Sequence, residues 1–290
     1  MSARAGRYRL VVADIDGTLV TSQRTITARV RRAVRQAQRR GVRVCLATGR
    51  TWRSARRYFQ TLGADPPAIL YNGGLIYDFA RERVIYRRPM SLRQAQRVIR
   101  ALDAFPDLAA HYYVNEGIYV RWHTPLVLAT ARQDHILPQA VGDFRRLRGQ
   151  PMKFRILGPR PRLVALARRV RRAGAPGTLV FSGPTSLEVL PPGVSKGAAV
   201  RRVASLLGVP LRQVIAVGDE LNDLSMLQVA GCGVAMGSAP RELRRVADYV
   251  APSSDQDGLA EVIHRFVLTE ETDDLPGAVR PGHRQKRRGA

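Results

Sequence analysis

Two aspartates stand two residues apart at the end of a short apolar run. Tyr8 to Ala13 leads into Asp14-Ile15-Asp16-Gly17-Thr18. Carboxylates at this spacing can converge on one cation if the chain turns at Gly17, and an all-oxygen donor set suits Mg²⁺. EF-hand calcium loops begin in the same way, but they need Gly at the sixth position and Glu at the twelfth. Those positions are Leu19 and Thr25. A plain turn or capping role is the other reading of the pair. Three more segments offer chemistry. Ala47-Thr48-Gly49-Arg50 presents a hydroxyl and backbone N–H groups, although Thr48 by itself reads as a helix N-cap. Lys196 falls in the first turn of an expected helix, where an ammonium opposes the helix dipole unless an anion needs it; a solvated surface lysine is the alternative. Gly218-Asp219-Glu220-Leu221-Asn222-Asp223 follows a third apolar run, with an N-cap role for Asp219 as its alternative.

The elements that must position these groups alternate between strand and helix. After Tyr8–Ala13, the residues Ile26, Val30, Ala33, Val34 and Ala37 recur at helical spacing. Gly41 ends that helix, and a strand at 42–47, a helix at 52–62 and a strand at 68–71 follow. Such βαβ units predict a parallel sheet with functional groups at the carboxyl ends of its strands. From residue 84 the texture changes. Strand-like runs at 84–87, 108–114, 117–122, 152–157, 178–182 and 186–190 mix with helices at 91–104, 125–134 and 160–173, which reads as a separate α+β unit. The first pattern resumes after Pro191-Pro192-Gly193, with helices at 195–207, 220–229 and 256–268 and strands at 213–217 and 233–235. The expected division is therefore a parallel-sheet core in two parts, 1–83 and 189–269, an inserted unit at 84–188, and a disordered basic tail at 270–290. All four chemical segments map to one edge of the core sheet. A carboxylate nucleophile, a second carboxylate, a hydroxyl, an ammonium and further carboxylates suit phosphoryl transfer, where positioning and charge neutralisation carry catalysis.

In this order ADIDGTL, ATGR, YNGG, VSKG and GDELNDLSML resemble the motifs of the haloacid dehalogenase (HAD) superfamily of phosphatases. More narrowly they are similar to its Cof-type subfamily, in which a large α/β cap is inserted between the second and third motifs. The resemblance implies an α/β fold, a Rossmann-like parallel-sheet core with an inserted α+β cap. It implies Mg²⁺-dependent hydrolysis of small phosphorylated metabolites of the sugar phosphate, FMN or PLP type, with a phosphomutase as a close variant. It makes Asp14 the nucleophile that forms an aspartyl-phosphate, and Asp16 the acid and base, with its carbonyl on the metal. Thr48, Gly49 and Lys196 would hold the phosphoryl group. Asp219 would complete the metal site with Asp14, and Asp223 would support it. Asn222 would touch phosphate or substrate, and Asn72 and Arg50 are weaker substrate contacts. An acid–base carboxyl needs a higher pKa than a nucleophilic one; sequence alone does not say which aspartate is which.

Charge raises a competing reading. The 290 residues carry a net charge of +25, and only Lys153, Lys196 and Lys286 are lysines, so the other 45 basic residues are arginines. Such a potential attracts nucleic acid, anionic membranes and acidic substrates alike, and so strong an arginine bias also reads as compositional. Helix 27–40 offers Arg29, Arg31, Arg32, Arg35, Arg39 and Arg40 to a nucleic acid but has no aromatic interleaving or known binding module. Arg121, Lys153 and Arg155 of the inserted unit could meet an acidic substrate. No apolar run reaches the ~18 residues of a membrane span, and the N-terminus lacks a signal-peptide pattern. Two cysteines, Cys45 and Cys232, make no disulfide framework. The chain reads as a soluble cytoplasmic enzyme.

Overall fold

The computed structural model describes residues 7–114, 117–134, 136–174 and 177–269. Its first part runs β1 (Leu10–Ala13), α1 (Ala28–Arg39), β2 (Arg43–Leu46), α2 (Trp52–Leu62), β3 (Ala68–Leu70), β4 (Leu75–Asp78) and β5 (Arg83–Arg87). Next come α3 (Leu92–Leu102), β6 (Ala109–Val114), β7 (Gly117–Val120), α4 (Pro125–Asp134), β8 (Gln139–Ala140), β9 (Lys153–Leu157), α5 (Arg160–Arg172), β10 (Thr178–Phe181) and β11 (Ser186–Leu190). The last part holds α6 (Lys196–Leu206), β12 (Val214–Gly218), α7 (Leu224–Val229), β13 (Cys232–Met236), α8 (Arg241–Arg244), β14 (Tyr249–Ala251) and α9 (Gly258–Ile263).

The core sheet has the order β14-β13-β12-β1-β2, and every pairing in it is parallel. β1 is buried on both faces, which is why all four of its residues are apolar. Val11, Ala13, Val44 and Val217 pack with α1 and α9 on one face, while Leu10, Val12, Cys45 and Ala216 pack with α6 and α7 on the other. Helix α1 shows how the arginine-rich sequence still folds. Thr27 caps it by accepting from the Val30 N–H, Val30, Ala33, Val34 and Ala37 are buried, and the arginines fall between them on the outer side. Register places the site: Ala13 lies beside Val217 and beside Leu46, so Asp14, Gly218 and Ala47 stand level at the carboxyl edge of the sheet.

A second sheet, of order β10-β11-β9-β6-β7-β8, is antiparallel apart from its β7–β8 pair. Helices α3 and α5 cover one face through a core that includes Phe144, Phe154 and Tyr112. This is the cap-like unit. The strand expected at 84–87 within it pairs instead with β4, in a three-stranded sheet of β3, β4 and β5, while β11 continues to Leu190. The pairing is a local hairpin across a four-residue loop, and it was not expected because no strand is read at 75–78 from the sequence pattern. The segment expected as a tail, 270–290, lies outside the described residues. No helix among the described residues is long and apolar enough to cross a membrane.

Phe154 is fully buried, edge-on to Tyr112 with ring centroids 4.8 Å apart. Phe154→Ala is expected to cost the second unit about 3–5 kcal/mol. Urea unfolding followed by fluorescence can localise the loss, since Trp122 reports on this unit and Trp52 on the core. A loss under about 1 kcal/mol would mean that the ring packs less tightly than described.

Candidate active site

Asp14 follows β1 directly, and its N–H donates to the Val217 carbonyl at 3.0 Å. Across the edge of the sheet, Lys196 opens α6. Ser195 caps that helix, and the Lys196 side chain is fully buried. The Lys196 Nζ lies 2.8 Å from Asp14 Oδ1 and 2.5 Å from Asp223 Oδ1. The solvated alternative for this lysine is thereby excluded. Asp223 Oδ2 accepts from the N–H groups of Asp219 and Glu220 at 3.0 and 3.1 Å, which fixes the loop after β12. Asp219 makes no cap; its Oδ1 accepts from the Thr18 hydroxyl at 2.9 Å. Gly17 permits this approach. Its φ is +72°, and a Cβ there would come within 2.1 Å of Asp219 Oδ2. Thr48 is buried and accepts from the Arg50 N–H, while the N-cap of α2 is Thr51.

The electrostatics follow from burial. Asp14 is pushed up to about 7, mainly by loss of water and then by Asp223 and Asp16, against the pull of Lys196. Asp219 is raised well above the carboxylate range, by burial first and then by Asp14 and Asp223. Burial would lower Lys196, but its ion pairs with Asp14 and Asp223 outweigh that and raise it. Asp14, Asp219 and Asp223 each offer an oxygen within 4.8 Å of the others. Two buried carboxylates, a half-buried one and one ammonium leave room for a further positive charge, and the oxygen-only donors fit a hard divalent cation. Both oxygens of Asp223 already have partners, so Asp14 and Asp219 are the freer ligands.

Asp16 was expected to act through its carboxylate as acid and base and to offer the metal only its carbonyl. Its carboxylate is not in that cluster but is gripped by Arg50, with Nε to Oδ2 at 2.7 Å and Nη2 to Oδ1 at 2.6 Å. Burial would raise its pKa, yet the Arg50 hydrogen bonds and charge dominate and hold it below the usual range. An acid–base residue with a raised pKa is therefore not what this state contains.

The cleft above these groups has a volume of about 310 Å³ and includes Arg24, Thr48, Gly49, Arg50 and Asn222 from the core. The cap-like unit adds Tyr113, Ile118, Lys153, Arg155, Ser182 and Glu188. Asn72 lies just below, fully buried at φ +54°. Its Nδ2 donates to Glu188 at 2.8 Å, and its Oδ1 accepts from Asn222 Nδ2 at 3.1 Å. Asn222 thus directs its amide N–H to Asn72. Of the basic residues considered for an acidic substrate, Lys153 binds the Gly49 carbonyl and Glu188, Arg155 reaches Ser186, and Arg121 pairs with Asp103 away from the cleft. Glu188 and Arg24 were not anticipated. The signal for Glu188 was a single acidic residue inside the otherwise uncharged run Ser186–Leu190.

Gly17→Ala is expected to push Asp219 out of place and to weaken divalent-cation affinity, measured by calorimetry, by about tenfold or more. A change under about twofold would show that the turn relaxes without moving the carboxylate.

The haloacid dehalogenase-like hydrolase family matches residues 11–263, a span from β1 to α9 that takes in all three sheets and the whole cleft. The chain is 30% identical over 260 residues to the 5-amino-6-(5-phospho-D-ribitylamino)uracil phosphatase YcsE of Bacillus subtilis (strain 168), covering 90% of this chain and 96% of that protein. It is 26% identical over 271 residues to the pyridoxal phosphate phosphatase YbhA of Escherichia coli (strain K12), covering 90% and 99%. A solved haloacid dehalogenase-like hydrolase from Bacteroides thetaiotaomicron superposes with a TM-score of 0.77 at 28% identity, covering 89% of this chain and 99% of the other. On the family match, the shared cap-bearing fold and the order of its motifs, the chain belongs to the haloacid dehalogenase-like hydrolases, in the Cof-type subfamily.

Proposed function

We propose that the protein is a Mg²⁺-dependent phosphatase of small phosphorylated metabolites and works through an aspartyl-phosphate on Asp14. The observation that carries this reading is the Asp14 carboxylate 2.8 Å from a buried Lys196, beside Asp219 and Asp223, at the floor of a cleft. The names of YcsE and YbhA both specify small phosphorylated substrates, which supports the class. A cleft of about 310 Å³ between two units also suits a small leaving group, such as a sugar, a flavin or a pyridoxal, and admits a polymer poorly. Arg24, Arg50 and Arg155 line the cleft, and Lys196 lies beneath Asp14, so cationic donors surround the place proposed for a phosphate ester even though carboxylates line the same cleft. Cys45 and Cys232 are buried free thiols, in keeping with the cytoplasmic location expected from the sequence.

Asp14 and Asp219, the carbonyl of Asp16 and, through its hydrogen bonds, Asp223 would hold Mg²⁺, which when bound neutralises phosphoryl oxygens and keeps nearby carboxylates ionised. Lys196 does the same for Asp14 from the other side, since its charge opposes the effect of burial. Thr48, the Gly49 N–H and Lys196 orient the phosphoryl group. One oxygen of Asp14 then bonds to phosphorus as the ester P–O bond breaks, and Asp16 gives a proton to the leaving oxygen. In the second half, Asp16 takes a proton from water as that water attacks phosphorus, and the Asp14–phosphorus bond breaks to release phosphate. With Arg50 in place Asp16 is ready as the base, so the first half requires Arg50 to yield its grip to the substrate.

The test is phosphate release from an aryl phosphate and from a panel of phosphorylated metabolites, with Mg²⁺ or with chelator. Wild type should be active only with Mg²⁺, and Asp14→Asn should lose about a thousandfold or more. Folded wild-type protein that releases no phosphate from any compound would overturn the proposal. Arg50→Ala should lower kcat/KM by about tenfold or more if Arg50 both releases Asp16 and meets the substrate, and unchanged kinetics would remove it from the mechanism.

A further inference from the structure

Lys153 and Glu188 are, respectively, 2% and 3% exposed, and they lie on neighbouring strands of the cap-like sheet with their charges 2.8 Å apart. They are a diagonal pair on the face opposite Phe154 and Val189, the face that meets the core. Burying two charges is costly unless their remaining hydrogen-bonding capacity is met. Here it is met by the core. The Lys153 ammonium donates to the Gly49 carbonyl at 2.8 Å, and Glu188 Oε2 also accepts from Asn72 at 2.8 Å. Asn72 in turn accepts from Asn222.

This chain of contacts has a fixed polarity. An ammonium can only donate, and the carboxylate facing it can only accept. The atom of Asn72 that faces Glu188 must then be its NH₂, which leaves its oxygen toward Asn222. The atom of Asn222 that faces Asn72 must for the same reason be its NH₂. Its own amide oxygen is the atom left over, and it is buried without a hydrogen-bond partner among the described residues. The backbone supports the same arrangement. Asn72 sits at φ +54°, a region asparagine tolerates better than most residues, and its N–H donates to the Thr48 carbonyl at 2.9 Å.

We infer that Glu188, held by Lys153, is a positioning residue that acts through Asn72 to fix which face of the Asn222 amide is turned to the active site, so that the seated cap sets the polarity of a cleft residue on the core. Asn222 spans two groups of contacts. It follows Asp219 on the loop that Asp223 and Lys196 fix from one side, and the cap reaches it from the other. Withdrawal of the cap removes Lys153 and Glu188 together, and with them the reason for Asn72 and Asn222 to keep one amide orientation.

The activity arm of the test rests on the phosphatase reading, and a second arm does not. In a double-mutant cycle, Glu188→Gln should lower kcat/KM for an aryl phosphate by about tenfold in the wild-type background and by less than about twofold in an Asn222→Ala background. Equal losses in both backgrounds would mean that Glu188 acts elsewhere, for example only by holding the cap together. If Glu188→Gln fails to fold, Asn72→Gly enters the same cycle, since glycine adopts the positive φ readily and removes the side chain that carries the amide. Independently, NMR of the side-chain amides identifies the Asn222 pair as the one lost in Asn222→Ala. That pair should shift or broaden in Glu188→Gln, or in Asn72→Gly. An unmoved pair would overturn the inference whether or not the protein hydrolyses phosphate esters. Wild-type protein without activity would sink the proposed function and leave the amide signal to decide the relay.

Discussion

One buried ammonium organises the active-site end of this molecule. Lys196 is fully covered, and removing a charge from water costs several kcal/mol unless opposite charge replaces the lost hydration. Asp14 and Asp223 replace it. That requirement holds the end of β1, the start of α6 and the loop after β12 together, although the three are remote in sequence. It also explains the close packing of α6 against the start of α7. Gly197, the residue after the lysine, donates its N–H to the Ser225 hydroxyl, and a Cβ at that glycine would come within 2.2 Å of the Ser225 carbonyl oxygen. A bulkier residue would lift the lysine away from its partners. Among so many arginines, a compact ammonium stands where the space between two carboxylates admits nothing wider.

The arginine surplus divides by position. On α1 it occupies the faces between Val30, Ala33, Val34 and Ala37, where solvent hydrates it and the apolar stripe still finds its core. In the cleft, by contrast, cations from both units converge above three carboxylates. The first population accounts for bulk charge, and the second stands among carboxylates, with Arg50 on Asp16 and Lys153 on Glu188. A net charge counts both equally, which is why it could not decide between an enzyme and a nucleic-acid binder.

What could be read from the sequence was whatever local pattern fixes. β1 shows as an apolar run because both of its faces are buried, and α1 shows through its helical spacing. Asp14, Thr48, Lys196 and Asp219 stood out because each follows or opens a recognisable element. The strand at 84–87 was also visible, but its hairpin partner β4 was not, because Leu75–Asp78 is a short run that carries no clear strand signal of its own. Asp16 was legible as a residue of interest and illegible as the partner of Arg50, which is 34 positions away. Glu188 was hidden for the same reason: nothing near it in sequence contains the Lys153 and Asn72 that justify a buried carboxylate.

The short loop after β2 draws these threads together. Thr48 faces the site of the proposed phosphoryl group, the Gly49 carbonyl receives Lys153 from the cap, and Arg50 grips Asp16. Three consecutive residues therefore touch the proposed phosphoryl site, the second unit and the proposed acid–base group. The loop is also tied to the next connection, since the Tyr71 N–H donates to the Arg50 carbonyl and the Asn72 N–H to the Thr48 carbonyl. Because the cap-like unit enters the chain soon after that connection and returns just before Lys196, both of its attachments lie beside groups of the proposed active site. A shift of the cap cannot leave this loop unaffected, because Lys153 and Glu188 are charges that would otherwise lose their partners. Placing the insertion here thus makes the position of the second unit an electrostatic condition on the arrangement of the first.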